Sequence, residues 1–475
     1  MTKRILIANR GEIASRIAKA CRELEYTSVG IWTENEPHAK HLESCDEWVF
    51  CPGANNQETY LNIERLVNLA VDNNIDGVHP GYGFLSENTN FAASLEKAGI
   101  IFIGPNSNAI KLMGDKAISK KLAEKNSIPV VPGSTGAVHT IQEASEIAKE
   151  IEYPVLLKAV AGGGGRGLRP CFNEDELKSN FDAVQREAMS AFGNGDLLVE
   201  KFIEDPRHIE VQILADKKGN IFHFFERECS VQRRHQKIIE EAPSPFIGED
   251  EDLRQELCET AVRLARSVDY DSAGTVEFIM GGDKKFYFLE MNTRIQVEHP
   301  ITEEITGIDL IVCMIQGAFG EDLGIPSQEW ITRSGHAIEC RICAEDPITM
   351  LPAPGKVTGF ETNFPQGARF DNCIYKGLEV TPDYDPMLAK LVTKGLKRKV
   401  ALRKMKAALN GLFIEGLKTN IPLHKVILEN EKFQSGNYST NFIKDENPQS
   451  KIDTNFDHLR FYKMLATIEA RRMGF

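Results

Sequence analysis

Residues 289–300 read Leu289-Glu290-Met291-Asn292-Thr293-Arg294-Ile295-Gln296-Val297-Glu298-His299-Pro300. In an extended chain successive side chains point to opposite faces. Glu290 and Asn292 then share one face, and Leu289 and Met291 the other. If the extension continues, Arg294, Gln296 and Glu298 join the first face while Ile295 and Val297 turn away. That face would collect two oxygen ligands, a guanidinium, an amide and a second carboxylate. Glu290 and Asn292 are hard oxygen donors suited to Mg2+ bridging nucleotide phosphates, and Glu277, in the strand pattern just before, can complete the set. Arg294 offers a fork for a planar anion, with Glu298 as a general base near it. The plain alternative is an amphipathic edge strand with a solvated polar face, the commoner origin of alternation.

Upstream lies a second unusual stretch, Lys158-Ala159-Val160-Ala161-Gly162-Gly163-Gly164-Gly165-Arg166-Gly167. Glycines let backbone N–H groups approach an anion without side-chain obstruction. With Lys158 at a strand end and Arg166 inside, the loop can grip a polyphosphate and close as a lid. It lacks the Gly-Lys-Ser/Thr of a P-loop, and no G-x-G-x-x-G follows the first strand. A flexible linker is the competing reading, although linkers are usually richer in serine. A third segment, 229–241, carries Gln232, Arg233, Arg234, His235 and Lys237. It reads as an anion site or a solvated loop.

Around these motifs the chain changes character. Residues 4–8, 28–32, 77–79 and 100–103 read as strands, and 11–24, 61–71 and 91–98 as helices. Such alternation predicts a parallel sheet with covering helices. Strands are expected at 154–159, 197–202, 275–280 and 285–291, helices at 174–190 and 252–268, and a hairpin joins 208–214 to 220–226. Further strands follow from about 335, then a helix at 400–412. The tail after 447 is polar, with an amphipathic stretch at 456–470.

The chain has 475 residues, enough for several domains, with 42% hydrophobic and 26% charged residues. A formal charge of −13 disfavours non-specific nucleic-acid binding. No run is long and apolar enough for a membrane span, and the start lacks a signal-peptide core. The ten cysteines are scattered, so reduced thiols in a cytoplasmic protein are expected. Cys340 and Cys343 form the closest pair, weak evidence for metal or redox use.

Together the three segments resemble the ATP-grasp superfamily, specifically biotin carboxylase. Residues 7–14, 79–88, 102–105, 113–116, 233–237, 290–300, 335–341 and 384–387 extend the likeness to roughly 3–446. The resemblance implies an α/β and α+β chain of three domains. These are an N-terminal doubly wound domain at 1–114, an ATP-grasp domain at 115–334 with a mobile lid at about 131–204, and a C-terminal β-rich domain at 335–446. It implies ATP-dependent carboxylation of biotin by bicarbonate through carboxyphosphate, with Mg2+ or Mn2+. Lys116, Lys158, His208 and Lys237 would meet nucleotide or anionic groups, together with Gly163, Gly164, Gly165, Arg166, Gly167 and Gln232. Glu200, Lys201 and Ile203 would line the adenine pocket, with His235 near the ribose. Glu277, Glu290 and Asn292 would hold the metals. Lys237, Arg294, Gln296, Val297 and Glu298 would bind bicarbonate, Glu298 as base, and Arg341 would stabilise the biotin enolate.

Cys343, Leu168 and Glu304 depart from the family's usual residues, none at a proposed catalytic position. No Ala/Val-Met-Lys-Met carrier tetrapeptide or carboxyltransferase-sized segment is present, which predicts a carrier protein and a carboxyltransferase on other chains. The family also suggests a homodimer. Residues 441–448 are similar to pyruvate carboxylases and 240–243 to acyl-CoA carboxylases, so the final acceptor stays open. The alternatives are another ATP-grasp ligase and a catalytically silent nucleotide-binding subunit.

Overall fold

The computed structural model describes residues 2–160, 168–192, 194–234 and 236–453. The expected segment 456–470 and most of the glycine loop lie outside them. The first five strands are β1 (Arg4–Ile7), β2 (Thr27–Trp32), β3 (Glu47–Phe50), β4 (Gly77–His79) and β5 (Ile101–Phe102). They form the expected parallel sheet in the order β3-β2-β1-β4-β5, with the order reversing about β1 as in doubly wound folds. The helix Gly11–Glu23 buries Ile13, Ile17 and Ala20 at the predicted spacing. Strand β3 escaped the sequence reading because it is an edge strand with none of its residues buried. The helices Ser107–Gly114, Lys116–Lys125 and Ile141–Ile151 were also unread. Their caps carried the signal: Asn106, Asp115, and Thr140 in a capping box with Glu143.

A small antiparallel sheet comes next, from β6 (Val155–Ala159), β7 (Leu168–Cys171) and β8 (Leu197–Lys201). It packs on the helices Ile141–Ile151 and Glu174–Phe192 around its own core, including Val155, Leu157, Leu177, Phe181 and Val199.

Four longer strands follow the hairpin signal: β9 (Arg207–Ala215), β10 (Ile221–Arg233), β11 (Gln236–Ala242) and β12 (Ala273–Met280). Asp216 Oδ1 closes the β9–β10 turn by accepting from the Lys218 and Asn220 backbone N–H groups. Then come β13 (Phe286–Asn292), β14 (His336–Cys343), β15 (Gly355–Lys356), β16 (Gly359–Thr362), β17 (Ala368–Asn372), β18 (Glu379–Val380), β19 (Met387–Gly395) and β20 (Leu412–Glu415). One eight-stranded sheet runs β13-β12-β9-β10-β11-β14-β19-β17, so a single hydrogen-bonded surface joins residues 207–292 to 336–395. Helix Glu251–Arg266 covers β9 and β10, and helix Arg398–Gly411 covers β14 and β19. The opposite face carries the polar cluster described next.

Three readings are corrected. Segment 229–241 is not a loop, because β10 runs on to Arg233 and β11 begins at Gln236. Extension stops at Asn292, and 293–298 bends and turns into the helix His299–Thr306. Leu289 does not share a face with Met291. Glu277 pairs with Glu290 and Phe278 with Phe288, which leaves Leu289 as the extra residue of a β-bulge, 40% exposed. The bulge shifts the alternation by one residue. Phe286, Phe288 and Met291 therefore all reach the core while Glu290 and Asn292 face the cluster.

Candidate active site

Strand register builds the site. Arg227 on β10 lies opposite Glu210 on β9, Glu210 opposite Glu277 on β12, and Glu277 opposite Glu290 on β13. The next row holds Gln212, Thr275 and Asn292. Four strands thus place charged and amide side chains side by side on one face.

Lys237 on β11 reaches over this row. Its ammonium donates to Glu210, to Glu277 at 2.7 Å and to Glu298 at 2.8 Å. Burial alone would disfavour its charge, but the three carboxylates outweigh burial and hold its pKa well above the usual lysine value. The carboxyls respond in kind. Burial pushes Glu277 and Glu298 up, but Lys237 with His208 outweighs it at Glu277, and Lys237 with Arg341 and Arg227 at Glu298, so both stay below the ordinary carboxylate range. His208 Nε2 sits 3.0 Å from Glu277; burial and Lys237 lower its pKa, Glu277 and Glu210 together outweigh them, and the ring is pushed up to about 9.

The turn after β13 supplies the rest. Gln296 donates to Glu277 at 2.7 Å, and Asn292 donates to the same oxygen at 2.9 Å. Arg294 donates to Glu87 and to Asn292 Oδ1, each at 3.0 Å. Glu298 is clamped from two sides, by Lys237 and by Arg341 Nη2 at 2.9 Å, while Arg341 Nε donates to Glu240 at 2.5 Å. Most of these groups line a cavity of about 340 Å3, with Glu87, Glu210 and Glu240 supporting them from outside it. It gathers ten predicted residues: His208, Lys237, Glu277, Glu290, Asn292, Arg294, Gln296, Val297, Glu298 and Arg341. β13 is an edge strand of its sheet, but its polar face leads into a buried cluster, with Glu298 1% and Gln296 3% exposed, so a wholly solvated polar face is excluded.

Other predicted residues stand apart. Lys116 touches the rim through Glu290 at 3.6 Å. Lys158 pairs with Glu200 at 3.8 Å across β6 and β8. Lys201 donates to the Glu152 and Tyr153 carbonyls, Gln232 donates to the Cys229 carbonyl, and Ile203 lies beside Gly281. Arg233 lines the cavity but is held bidentate by Glu345, and Arg234 is exposed at the turn. Gly163, Gly164, Gly165, Arg166, Gly167 and His235 lie outside the described residues. Cys343 lines the cavity and Cys340 packs into the core on the other face of β14, so the pair forms no metal site.

Sequence reasoning missed Glu210, Arg227 and Glu240. The signal for Glu210 was present: His208, Glu210 and Gln212 alternate with Ile209, Val211 and Ile213. Glu277, Glu290 and Asn292 offer hard oxygens toward one cavity, a donor set that fits Mg2+ beside phosphate. Cluster His208, Glu210 and Glu277 also has ligand atoms within 4.8 Å, but Lys237 and Arg227 already neutralise Glu210.

Three family models match the chain. Residues 1–110 match the biotin carboxylase N-terminal domain, 115–325 the ATP-binding domain of the carbamoyl-phosphate synthase L chain, and 339–445 the biotin carboxylase C-terminal domain. A biotin carboxylase from Nostoc sp. is 48% identical over 445 residues, covering 94% of this chain and 99% of the relative. The chain belongs to the biotin carboxylase family. A pyruvate carboxylase subunit from Methanothermobacter thermautotrophicus is 47% identical, covering 94% and 90%. A solved biotin carboxylase domain of a thermophilic 2-oxoglutarate carboxylase, bound to bicarbonate, superposes with a TM-score of 0.89 at 45% identity, covering 94% and 99%. No described helix is long and apolar enough to cross a membrane.

Proposed function

We propose that this chain is the biotin carboxylase subunit of a multisubunit carboxylase, transferring CO2 from bicarbonate to biotin at the expense of ATP. The observation that carries the reading is Glu298, an ionised buried carboxylate gripped between Lys237 and Arg341 in a cavity that also holds Arg294. Bicarbonate is planar and anionic, so Arg294, Lys237, Gln296 and the Val297 region suit it. Glu298 takes its proton as its oxygen attacks the γ-phosphorus; ADP leaves and carboxyphosphate forms. Lys116, Lys158 and His208 bear on the nucleotide side, where phosphoryl transfer needs alignment and charge neutralisation. Mg2+ held by Glu277, Glu290 and Asn292 would neutralise phosphate charge. Carboxyphosphate hydrolyses readily, so closure of 131–204 over the site excludes water. Carboxyphosphate then releases CO2 and phosphate, the phosphate takes the biotin N1′ proton, N1′ bonds to the CO2, and Arg341 faces the ureido group and stabilises the negative charge it develops on the way.

The biotin belongs to a carrier protein, the carboxyltransferase resides on another chain, and the enzyme works as a cytoplasmic homodimer. Relatives matched over nearly their whole length are themselves subunits, such as the pyruvate carboxylase subunit of Methanothermobacter thermautotrophicus. Purified protein with ATP, Mg2+, bicarbonate and free biotin is expected to release ADP faster when biotin is present. No stimulation, even with a biotinylated carrier, rejects the reading. Stimulation by an amine instead would indicate a ligase of the carbamoyl-phosphate type, whose ATP-binding domain the chain also matches.

A further inference from the structure

Behind Arg341 lies a second buried acidic group that the reaction scheme does not use. Glu240 on β11 stands directly opposite Glu339 on β14, and both are 0% exposed. Arg341 follows Glu339 by two residues and so shares its face, opposite Lys390 on β19. Lys390 is also fully buried. It donates to the Val297 carbonyl at 3.1 Å and sits 3.1 Å from Glu12, on the helix Gly11–Glu23.

The polar atoms here do not balance. Glu240 Oε1 accepts from Arg341, but Glu240 Oε2 and both Glu339 oxygens have no hydrogen-bond partner among the described residues. Two carboxylates in adjacent cross-strand positions, shielded from water, resist ionising together. A single proton on one Glu339 oxygen, directed at Glu240 Oε2, satisfies two of these three orphans and leaves only the other Glu339 oxygen unpartnered among the described residues. The charged groups that bear most on the pair are Arg341 and Lys390, which favour its ionisation, and Glu298, which opposes it. Lys237 also favours the charge of Glu240.

We propose that Glu240 and Glu339 share one proton, and that this singly charged pair is the positioning element that aims Arg341 at Glu298 and at the substrate. The role rests on the assignment of Arg341 above. Burial, reinforced by Glu240, pushes Glu339 well above the ordinary carboxylate range, and burial also outweighs Arg341 to push Glu240 up to about 7. Losing the shared proton places a second negative charge beside Arg341. That charge opposes both bicarbonate and a negative ureido group, so activity falls on the alkaline side.

Two variants test it. Glu339→Gln retains a donor toward Glu240 but cannot ionise. The alkaline limb of kcat/KM for bicarbonate should move up by about one pH unit or more, the scale of one neighbouring charge. Glu240→Gln removes the charged acceptor of Arg341 Nε, and biotin-stimulated turnover should fall about 10- to 100-fold with nucleotide affinity retained. Infrared spectroscopy supplies a readout independent of catalysis: Glu339→Gln should remove one component of the protonated-carboxyl C=O stretch of wild-type protein near neutral pH, leaving that of the buried Glu12 and Glu228. Loss of that component with a shifted limb supports the pair. An unshifted limb, or a wild-type band unaltered in Glu339→Gln, overturns it. A protein that shows the Glu339 component but never carboxylates biotin would fault the assigned reaction and leave the shared proton standing.

Discussion

Replacing Arg227 with lysine separates charge from geometry at the centre of the cluster. The guanidinium is 0% exposed and uses all five N–H donors. Nε donates to Glu210 at 2.6 Å, Nη1 to Gln212 at 2.6 Å and Thr302 at 3.1 Å, and Nη2 to Thr275 at 3.1 Å and Gln296 at 2.8 Å. An ammonium has three donors, so at least two of those acceptors lose their partner. Each buried orphan costs about 1–3 kcal/mol, which gives about 2–6 kcal/mol for Arg227→Lys. The charge is retained and Glu210 keeps Lys237, so the about 3–5 kcal/mol of a broken buried ion pair does not apply in full. Lost donors, not lost charge, should dominate. Freed from Arg227, the Gln296 side chain keeps Glu277 alone among the described residues, so KM for bicarbonate should rise while nucleotide affinity holds. Urea unfolding measures the first effect and bicarbonate-dependent ADP release the second. Stability within about 0.5 kcal/mol of wild type, the range of an ordinary surface change, with an unaltered KM would refute the reasoning.

Three other outcomes follow from the same geometry. Glu298→Gln should lower bicarbonate-dependent ATP cleavage by about 10²–10⁴-fold, the range of general-base catalysis; calorimetry should find MgATP binding intact, and a parallel loss of affinity would contradict the assignment. Deleting Leu289 removes the extra residue and sets Glu290 directly after Phe288, on the opposite face, as Glu277 and Phe278 are on the facing strand, so a magnesium titration of ATP turnover should be retained, whereas Glu290→Gln should weaken it; lost magnesium dependence in the deletion would argue against the bulge assignment. Burial pushes Glu241 up, but Arg398 and His336 outweigh it and bring its pKa to about 2, below its ordinary 4.5. Its contribution to stability is therefore present above the ordinary value and fades as pH falls through about 2. Glu241→Gln should flatten the acid limb of a denaturation midpoint measured against pH, and an unchanged limb would count against this ion pair.

Much of the fold was legible because period and turn chemistry are local. The helix Gly11–Glu23 and the β9–β10 hairpin followed from apolar spacing and the Asp216–Asn220 turn. Where an element buries little, as in β3, periodicity has nothing to report. The bulge at Leu289 was invisible for a different reason, since two-residue alternation looks intact on either side of a one-residue slip. The site motif was found with the wrong local shape. Arg294, Gln296 and Glu298 reach one cavity from a turn rather than along a strand.

By itself the sequence determined which chemistry is available: oxygen ligands, a guanidinium and a general base within twelve residues, a glycine loop flanked by cations, and signatures resembling one enzyme family. Tertiary structure decided which groups meet. Glu210, Arg227 and Glu240 are separated from Glu298 by 58 to 88 residues, and no local pattern ties them to it. Cross-strand register aligns them, and burial fixes their charge states, because in a water-poor cluster each carboxylate is ionised only where a cation such as Lys237 or Arg341 stands against it.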